Sequence, residues 1–298
     1  MTNIESTYDQ GRSVFVTAPD GLKLHVRAWG EEHRDSCTPI FCLHGLTRNS
    51  RDFAGIADYL ATHAKQKRAI YALDLRGRGH SEYAKDWQQY DLFTELGDVI
   101  AILTALGLEH CIFIGTSRGG LLTMLLGAAR PGAVKAAIIN DVGPVLEGTG
   151  LAQIKLYLQK PQKPRNFADA IAIQKSVMGK SFSAFSEEDW SFEAHARFRE
   201  IKGKLRFDYD PKLAKTMEAY NLDQPIPTMW PQWISLRQIP TMVVRGENSA
   251  LLSTDTIKSM GTVHEKMQTV TADGQGHAPL LHRPEVAKHL TVFLDQYA

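Results

Sequence analysis

A serine stands between two glycines in the stretch FIGTSRGGLL, where an apolar strand-like run ends and an apolar helix-like run begins. A sharp turn from strand to helix leaves no room for side chains two positions before and after its central residue, and Gly115 and Gly119 occupy those positions. Such a turn strains the serine backbone and presents its hydroxyl at the positive end of the following helix. The pattern predicts that Ser117 is a nucleophile.

A serine hydroxyl reacts slowly until a base removes its proton. Among the 11 histidines, His277 is the best placed, in the stretch DGQGHAPLLHRP between the last strand-like run and the final helix-like run. We predict that His277 is the base. His282, in the same loop, is expected to be a polar surface residue, and His44 is expected to have a structural role.

Attack on a carbonyl produces an oxyanion, which two N–H groups must face. We predict that one donor is the backbone amide of Arg118, directly after the nucleophile. The other is expected in the loop His44-Gly45-Leu46, and we assign it to the amide of Leu46. The side chain of Arg118 is expected to be structural or to face solvent.

The elements that must position these residues alternate between strand-like and helix-like patterns along most of the chain. A hairpin pattern comes first, in SVFVTAPDGLKLHVRAWG, and buried strand patterns follow in IFCLHG, AIYALDL, CIFIG, AAIIN, TMVVRG and KMQTVTA. Strands that alternate with helices form parallel sheets, and a leading hairpin adds antiparallel edge strands. The sequence therefore predicts an α/β fold whose site lies at the carboxyl ends of the strands.

The alternation stops between about residues 145 and 235, where the pattern is helical, without a convincing strand, and 12 of the 26 aromatic residues occur. We interpret residues 145–235 as a helical cap, inserted into an α/β core of residues 1–144 and 236–298. Four aromatic residues are expected either to line a pocket beneath the cap or to form the cap's own core: Trp190, Phe192, Trp230 and Trp233.

Composition excludes several classes of function. With 34 basic and 33 acidic residues the net charge is +1, so nucleic acid is not an expected partner. The polar stretch MTNIESTYDQGRS predicts neither a signal peptide nor a membrane anchor, and a cytoplasmic protein is the expectation. The three cysteines lack metal-ligand spacing, so neither a disulfide framework nor a metal site is predicted.

The stretch DLRGRGHS follows a strand pattern and invites comparison with a dinucleotide-binding loop. Gly77 and Gly79 match the first two glycines of such a loop, but Glu82 stands where the third is required, and no helical pattern begins there. A tight structural loop is therefore the expectation, and no cofactor is predicted.

Taken together, the stretches LHG, DLRGRGHS, GTSRGG, NDVGP, VRGENS and GQGHAPLL resemble the α/β-hydrolase family, in particular its capped bacterial esterases, lactonases and carbon–carbon-bond hydrolases. The resemblance covers essentially the whole chain and keeps the family's order. It implies a catalytic triad of serine, acid and histidine in that order, without a cofactor.

The acid of that triad is the uncertain member. The resemblance implies an aspartate after the strand TMVVRG, yet Ala250 stands there. Three substitutes remain open: Asp141 in NDVGP, Glu247, and Asp255 at a helix start. We favour the interpretation that the chain is a weakened form that lacks its acid. Ala250→Asp should then raise kcat by about 10³-fold or more, unless Asp141 already supplies the carboxylate.

The resemblance and the predicted residues favour hydrolysis of a small-molecule carboxylic ester or lactone through an acyl-enzyme on Ser117. Two alternatives stay open. One is carbon–carbon-bond cleavage of a vinylogous diketone, and the other is ligand binding by a catalytically weak member of the fold. The sequence indicates neither the acyl and alcohol groups nor the oligomeric state.

Overall fold

The computed structural model describes residues 10–219 and 221–297. Residues 1–9, which make up most of the stretch that predicts neither a signal peptide nor an anchor, lie outside the described residues.

Eight strands of the described chain form one sheet, in the order β1-β2-β4-β3-β5-β6-β9-β10. Strand β2 pairs antiparallel with β1 and β4. The other neighbours in this sheet, along the order β4-β3-β5-β6-β9-β10, pair in parallel. The predicted α/β fold, with a mostly parallel sheet and an antiparallel edge hairpin, is confirmed. Its strands are β1 Arg12–Thr17, β2 Lys23–Trp29, β3 Ile40–Leu43, β4 Ile70–Asp74, β5 Cys111–Thr116, β6 Val134–Asn140, β9 Thr241–Gly246 and β10 Met267–Ala272.

Helices cover both faces of this sheet, which explains why its central strands are apolar along their whole length. In β3, Phe41 and Leu43 pack into the apolar cluster on one face, and Ile40 and Cys42 pack into the cluster on the other. The helices are α1 Ala54–His63, α2 Leu92–Ala105, α3 Arg118–Ala129, α4 Gly148–Gln159, α5 Phe167–Met178, α6 Glu187–Arg197, α7 Ala214–Glu218, α8 Trp230–Ser235, α9 Thr254–Thr262 and α10 Pro284–Asp295.

The segment between β6 and α8, which we call the cap, contains α4 to α7 and also a hairpin. Strands β7 (Phe198–Ile201) and β8 (Lys204–Phe207) pair antiparallel within the cap. The expectation that this region holds no strand is therefore wrong at this point. The turn residues Lys202 and Gly203 have φ of 52° and 71°, the left-handed backbone that a two-residue hairpin requires.

The last helix before β9 packs as part of the core. In α8 the Trp233 side chain is fully buried, and its indole N–H donates to the Met260 carbonyl at 3.2 Å. We propose that the chain divides into a core and a cap, as expected, but that the cap ends before α8 and not at residue 235.

Three further observations concern the described residues alone. No helix there is both long and apolar enough to cross a bilayer. No cluster of three or more His, Cys, Asp or Glu side chains there is arranged to hold a metal ion. Cys37, Cys42 and Cys111 are free thiols, and the last two are buried in β3 and β5.

Candidate active site

Ser117 lies at the turn between β5 and α3, in a strained backbone conformation with φ 51° and ψ −114°. Its amide donates to the Asn140 carbonyl at 2.9 Å. The flanking glycines are required by close packing. A Cβ on Gly119 would lie 2.0 Å from the Leu43 carbonyl oxygen, and one on Gly115 would lie 2.5 Å from the Gly119 carbonyl oxygen. The turn thus has the geometry of a nucleophile elbow.

The hydroxyl of Ser117 is hydrogen-bonded to the predicted base. Its Oγ lies 2.9 Å from Nε2 of His277, although 160 residues separate the two in the sequence. His277 belongs to the loop between β10 and α10, at the same carboxyl edge of the sheet. The nitrogen Nε2 is therefore placed to take the serine proton.

The other ring nitrogen of His277 contacts Asp141. Its Nδ1 lies 2.8 Å from Oδ2 of Asp141, whose side chain is fully buried. The Ser249 hydroxyl donates to the same oxygen at 2.7 Å, and the Gly246 amide donates to Oδ1 at 2.8 Å. Three donors therefore hold this carboxylate in place.

The contact between His277 and Asp141 argues against our favoured interpretation that the site lacks an acid. Asp141, the alternative that we ranked below that interpretation, is the carboxylate that meets the imidazole. Ala250 lines the cavity beside Ser117 and His277 without a carboxylate of its own. Glu247 is exposed and accepts the Gly274 amide at 2.7 Å, while Asp255 is paired with Lys258 on the exposed first turn of α9.

The position of Asp141 follows from the strand order. It comes directly after β6, which lies between β5, the strand that leads to the nucleophile, and β9. Its backbone has φ 56°, in the left-handed region that aspartate tolerates better than most residues. The amide of Asp141 still donates to the Val244 carbonyl at 2.8 Å, which extends the β6–β9 pairing.

Hydrogen bonds hold the loop that carries His277 in place. The fully buried Gln275 accepts the Leu280 amide at 2.9 Å through Oε1, and its carbonyl accepts the Asn248 amide at 2.9 Å. Nδ2 of Asn140 donates to the Pro279 carbonyl at 3.0 Å. These contacts fix the base before any substrate binds.

The two predicted oxyanion donors lie at the turn and in the loop after β3. Gly45 and Leu46 line the cavity next to Ser117, and Arg118 begins α3. Among the described residues, neither the Leu46 amide nor the Arg118 amide donates to a protein acceptor. Both are therefore available to a developing oxyanion.

The side chain of Arg118 has the structural role that we expected. Its Nε donates to Glu95 at 2.6 Å, and the buried Arg78 contacts the same carboxylate at 2.6 Å. Nε of Arg78 also donates to the Leu46 carbonyl at 2.8 Å. The DLRGRGHS loop thus holds in place the loop after β3 that carries Leu46, consistent with a structural function for that stretch.

Two other histidines lie near the site without contacting the serine. His44 is fully buried, and burial lowers its pKa. Its Nδ1 lies 2.7 Å from the Gly45 carbonyl, and its Nε2 accepts the Leu75 amide at 3.0 Å. His282 is half-buried against Phe192 with ring centroids 4.3 Å apart, and burial lowers its pKa as well, so it is not the surface residue we expected.

A cavity of about 700 Å³ opens between the sheet edge and the cap, above Ser117 and His277. The four aromatic residues that we considered for its wall do not line it: Trp190, Phe192, Trp230 and Trp233 all lie elsewhere. Sequence alone could not choose among the cap's aromatics, because it does not show which face of each helix turns toward the sheet. The aromatic lining is Phe53, Tyr157, Phe182, Phe198 and Phe207.

Charged side chains in the cavity wall form a paired network. Arg48 donates to Asp52 at 2.6 Å and to Glu193 at 2.7 Å, and Arg197 donates to Glu193 at 2.8 Å and to the Tyr157 hydroxyl at 3.2 Å. Burial opposes ionisation of Glu193, but the two guanidinium groups lower its pKa to about 2. No local motif could have identified this network, since its members lie up to 149 residues apart.

Comparison with known proteins agrees with this geometry. The model of the alpha/beta hydrolase fold family matches residues 38–282, more than half of the chain. The chain belongs to the α/β-hydrolase fold family. The resemblance inferred from its motifs is therefore confirmed.

Among the relatives of this α/β-hydrolase is the 3-hydroxybutyrate-oligomer hydrolase of Cupriavidus necator, 29% identical over 276 residues that cover 90% of this chain and 91% of that protein. The 2-(acetamidomethylene)succinate hydrolase of Mesorhizobium japonicum is 23% identical over 85% of this chain and 86% of its own length. A solved α/β hydrolase from Novosphingobium aromaticivorans is 36% identical, with a TM-score of 0.88, over 96% of this chain and 98% of that one.

Proposed function

We propose that this α/β-hydrolase cleaves a small carboxylic ester, open-chain or cyclic, through an acyl-enzyme on Ser117. The observation that carries the proposal is the continuous hydrogen-bonded relay from Ser117 Oγ through His277 to Asp141, which opens into the cavity. The similarity to a hydrolase of 3-hydroxybutyrate oligomers, which are chains of esters, supports ester substrates.

In the first half-reaction, Nε2 of His277 takes the proton as Ser117 Oγ bonds to the ester carbonyl carbon. The carbonyl oxygen becomes an oxyanion facing the amides of Leu46 and Arg118. As the tetrahedral intermediate collapses, the bond from carbon to the alcohol oxygen breaks. His277 gives its proton to the departing alcohol, and the acyl group stays on Ser117.

In the second half-reaction, a water molecule replaces the alcohol. His277 takes a proton from this water, whose oxygen bonds to the acyl carbon, and a second oxyanion forms at the same two amides. Collapse returns the proton to Ser117 Oγ and releases the carboxylic acid. Throughout the cycle, Asp141 keeps the Nδ1 proton of His277 in place and stabilises the imidazolium form.

The charges of the cavity favour an uncharged ester over a dicarboxylate. Both arginines in the wall, Arg48 and Arg197, already bind carboxylates of the protein. A substrate anion would compete with the buried Glu193 and Asp52 for them. Lys160 also reaches the cavity, but it is exposed, so water and salt screen its charge.

We expect a fluorophosphonate to label the native protein and p-nitrophenyl butyrate to be hydrolysed, because both reactions need an activated serine. Ser117→Ala should abolish both, whereas the matched variant Ser183→Ala, at an exposed cap serine, should retain both. Intact-protein mass spectrometry and p-nitrophenolate release provide the measurements.

Two results would contradict the proposal. Failure of the native protein to react with fluorophosphonate would favour the ligand-binding alternative, because a receptor has no need of an activated serine. Cleavage of a vinylogous diketone without cleavage of p-nitrophenyl butyrate would favour carbon–carbon-bond hydrolysis.

A further inference from the structure

One buried carboxylate connects the two residues whose amides are the proposed oxyanion donors. Glu95, in α2, has a fully buried side chain and does not line the cavity, so a substrate cannot contact it. Its Oε2 accepts a hydrogen bond from Nε of Arg118 at 2.6 Å, and its Oε1 accepts one from Nη1 of Arg78 at 2.6 Å. Each oxygen of the carboxylate therefore binds a different guanidinium group.

Each guanidinium group in turn holds one of the proposed oxyanion donors. Nε of Arg78 donates to the Leu46 carbonyl at 2.8 Å. The carbonyl and the amide of Leu46 flank one α-carbon, so this contact limits rotation of the amide. Nη2 of Arg118 donates to the Tyr90 carbonyl at 2.8 Å, which together with Glu95 fixes this side chain at the start of α3. The amide of Arg118 is attached to the same α-carbon, so its position follows from these contacts.

These contacts require the ionised form of Glu95. Burial opposes its ionisation, but the charges of Arg118 and Arg78 outweigh burial and lower the pKa of Glu95. A carboxylate accepts through both oxygens, whereas an amide accepts through one oxygen and donates from its nitrogen. A glutamine at position 95 would therefore direct an N–H group at one of two guanidinium groups, which only donate. The connection between the two oxyanion donors would be broken on one side.

Stabilisation of an oxyanion depends on the spacing of its two donors, because both must lie within hydrogen-bond distance of one oxygen atom. Leu46 and Arg118 belong to separate segments, which follow β3 and β5. The pairing of these strands ends at Leu43 and Gly115, before either donor is reached. Beyond that pair, the side-chain contacts through Glu95 link the two segments.

We propose that Glu95 is a positioning residue that sets the spacing of the two oxyanion donors. It acts through Arg78 on the Leu46 amide, and through the side chain of Arg118 on the amide of that residue. The proposal rests on the proposed ester hydrolysis at Ser117, because it assigns a role in stabilising the same oxyanion. Glu95 itself takes no part in the bond-breaking steps.

The test uses two substrates that differ in the atom that becomes the anion: p-nitrophenyl butyrate and p-nitrophenyl thionobutyrate, in which sulfur replaces the carbonyl oxygen. Sulfur accepts hydrogen bonds weakly, so the ratio of kcat/KM for the ester to that for the thionoester measures oxyanion stabilisation by the two amides. The first variant is Glu95→Gln. The second is Arg118→Met, which removes one guanidinium group and keeps the backbone amide.

The matched control is Asp98→Asn, at a buried carboxylate one turn further along α2. Asp98 binds Nε and Nη2 of Arg76, in the same DLRGRGHS loop, at 2.7 and 2.6 Å. Glu95→Gln and Asp98→Asn each deprive a buried arginine of a carboxylate partner, so both should lower the temperature of thermal unfolding. Only the first interrupts the contacts that lead to Leu46 and Arg118.

We expect Glu95→Gln to lower the ratio about 10-fold, which is less than the cost of about 10²- to 10³-fold in kcat when a donor is removed outright. Arg118→Met should lower the ratio as well, and Asp98→Asn should leave it unchanged. For p-nitrophenyl butyrate, the loss in Glu95→Gln should appear in kcat and not in KM, because the two amides stabilise the transition state more than the bound ester.

An unchanged ratio in folded Glu95→Gln, or an equal fall in Asp98→Asn, would overturn the assignment while ester hydrolysis at Ser117 stands. If Glu95→Gln does not fold, the ratio in Arg118→Met decides in the same way. A native protein that cleaves the ester without preferring it over the thionoester would also overturn the assignment alone. If the native protein cleaves no ester, the proposed function itself fails, and the assignment fails with it.

Discussion

At the scale of single residues, the carboxylate of Asp141 decides how complete the site is. Each of its oxygens accepts a hydrogen bond from the protein in addition to the contact with His277. Nδ1 of an imidazole carries one hydrogen, and Asp141 already accepts it. A second carboxylate at position 250 would find no donor on the ring, so we propose that the alanine there does not impair the site.

We expect Asp141→Asn to lower kcat for p-nitrophenyl butyrate about 10⁴-fold, because the amide favours the wrong tautomer of His277 and cannot stabilise its charged form. Ala250→Asp should leave kcat within a few fold of the native value. The measurement is steady-state hydrolysis, with circular dichroism to check folding. A large rise with Ala250→Asp, together with little change in Asp141→Asn, would restore the interpretation that the native chain lacks its acid.

At the scale of elements, the turn between β5 and α3 depends on contact between backbones. Helix α3 begins so close to β3 that Gly119 lies against the Leu43 carbonyl, and this contact sets where the Ser117 hydroxyl emerges. A side chain at position 119 would have to displace backbone atoms, which have little freedom to move inside a sheet covered on both faces. The elbow is therefore a property of packing as well as of local sequence.

We expect Gly119→Ala to lower the free energy of unfolding by at least about 2 kcal/mol through overpacking, and to reduce labelling of Ser117. The matched control is Gly97→Ala in α2, where a Cβ would meet no atom within 4 Å. That substitution should raise the free energy of unfolding by about 0.5–1 kcal/mol, because alanine is the better helix former. Urea denaturation measures both, and equal effects would contradict the packing explanation.

At the scale of the whole molecule, an ion pair and a hydrogen bond connect the cap to the core next to the loop that carries Leu46. Arg48, two residues after Leu46, binds Glu193 of α6, and the neighbouring Asn49 donates to the Ala196 carbonyl at 2.8 Å. The ion pair is largely buried, so water screens it little. The same contacts thus hold the cap in place and keep the loop that carries Leu46 in position.

We expect Glu193→Gln to lower the free energy of unfolding by about 3 kcal/mol near neutral pH, because it leaves Arg48 and Arg197 without their shared carboxylate. The folded-state pKa of Glu193, about 2, lies below its ordinary value, so this stabilisation is complete above about pH 5 and is lost as the pH falls toward 2. The difference in the free energy of unfolding between the native protein and the variant should therefore be about 1 kcal/mol smaller at pH 3.5 than at pH 6. Urea titrations at the two pH values measure this difference. A difference that does not change with pH would contradict stabilisation of the Glu193 carboxylate by the two arginines.

The sequence alone determined the alternation of strands and helices, the nucleophile turn and the loop histidine. Each of these is a local pattern: an apolar period, a pair of glycines around a serine, and a histidine between a strand and a helix. The order of the strands then requires their carboxyl ends to meet at one edge. Ser117 and His277 could therefore be proposed as partners across 160 residues.

Only the tertiary structure decided which carboxylate completes the relay and which side chains form the cavity. From the sequence, Asp141, Glu247 and Asp255 were all ranked below the interpretation that the acid is missing, because spacing along the chain does not reveal which loop reaches Nδ1 of His277. The hairpin β7–β8 and the pairing of Arg48 with Glu193 likewise depend on how the cap packs on the core. Packing between segments that are distant in sequence leaves no periodic signal in either segment, and such contacts are known only when the chain is folded.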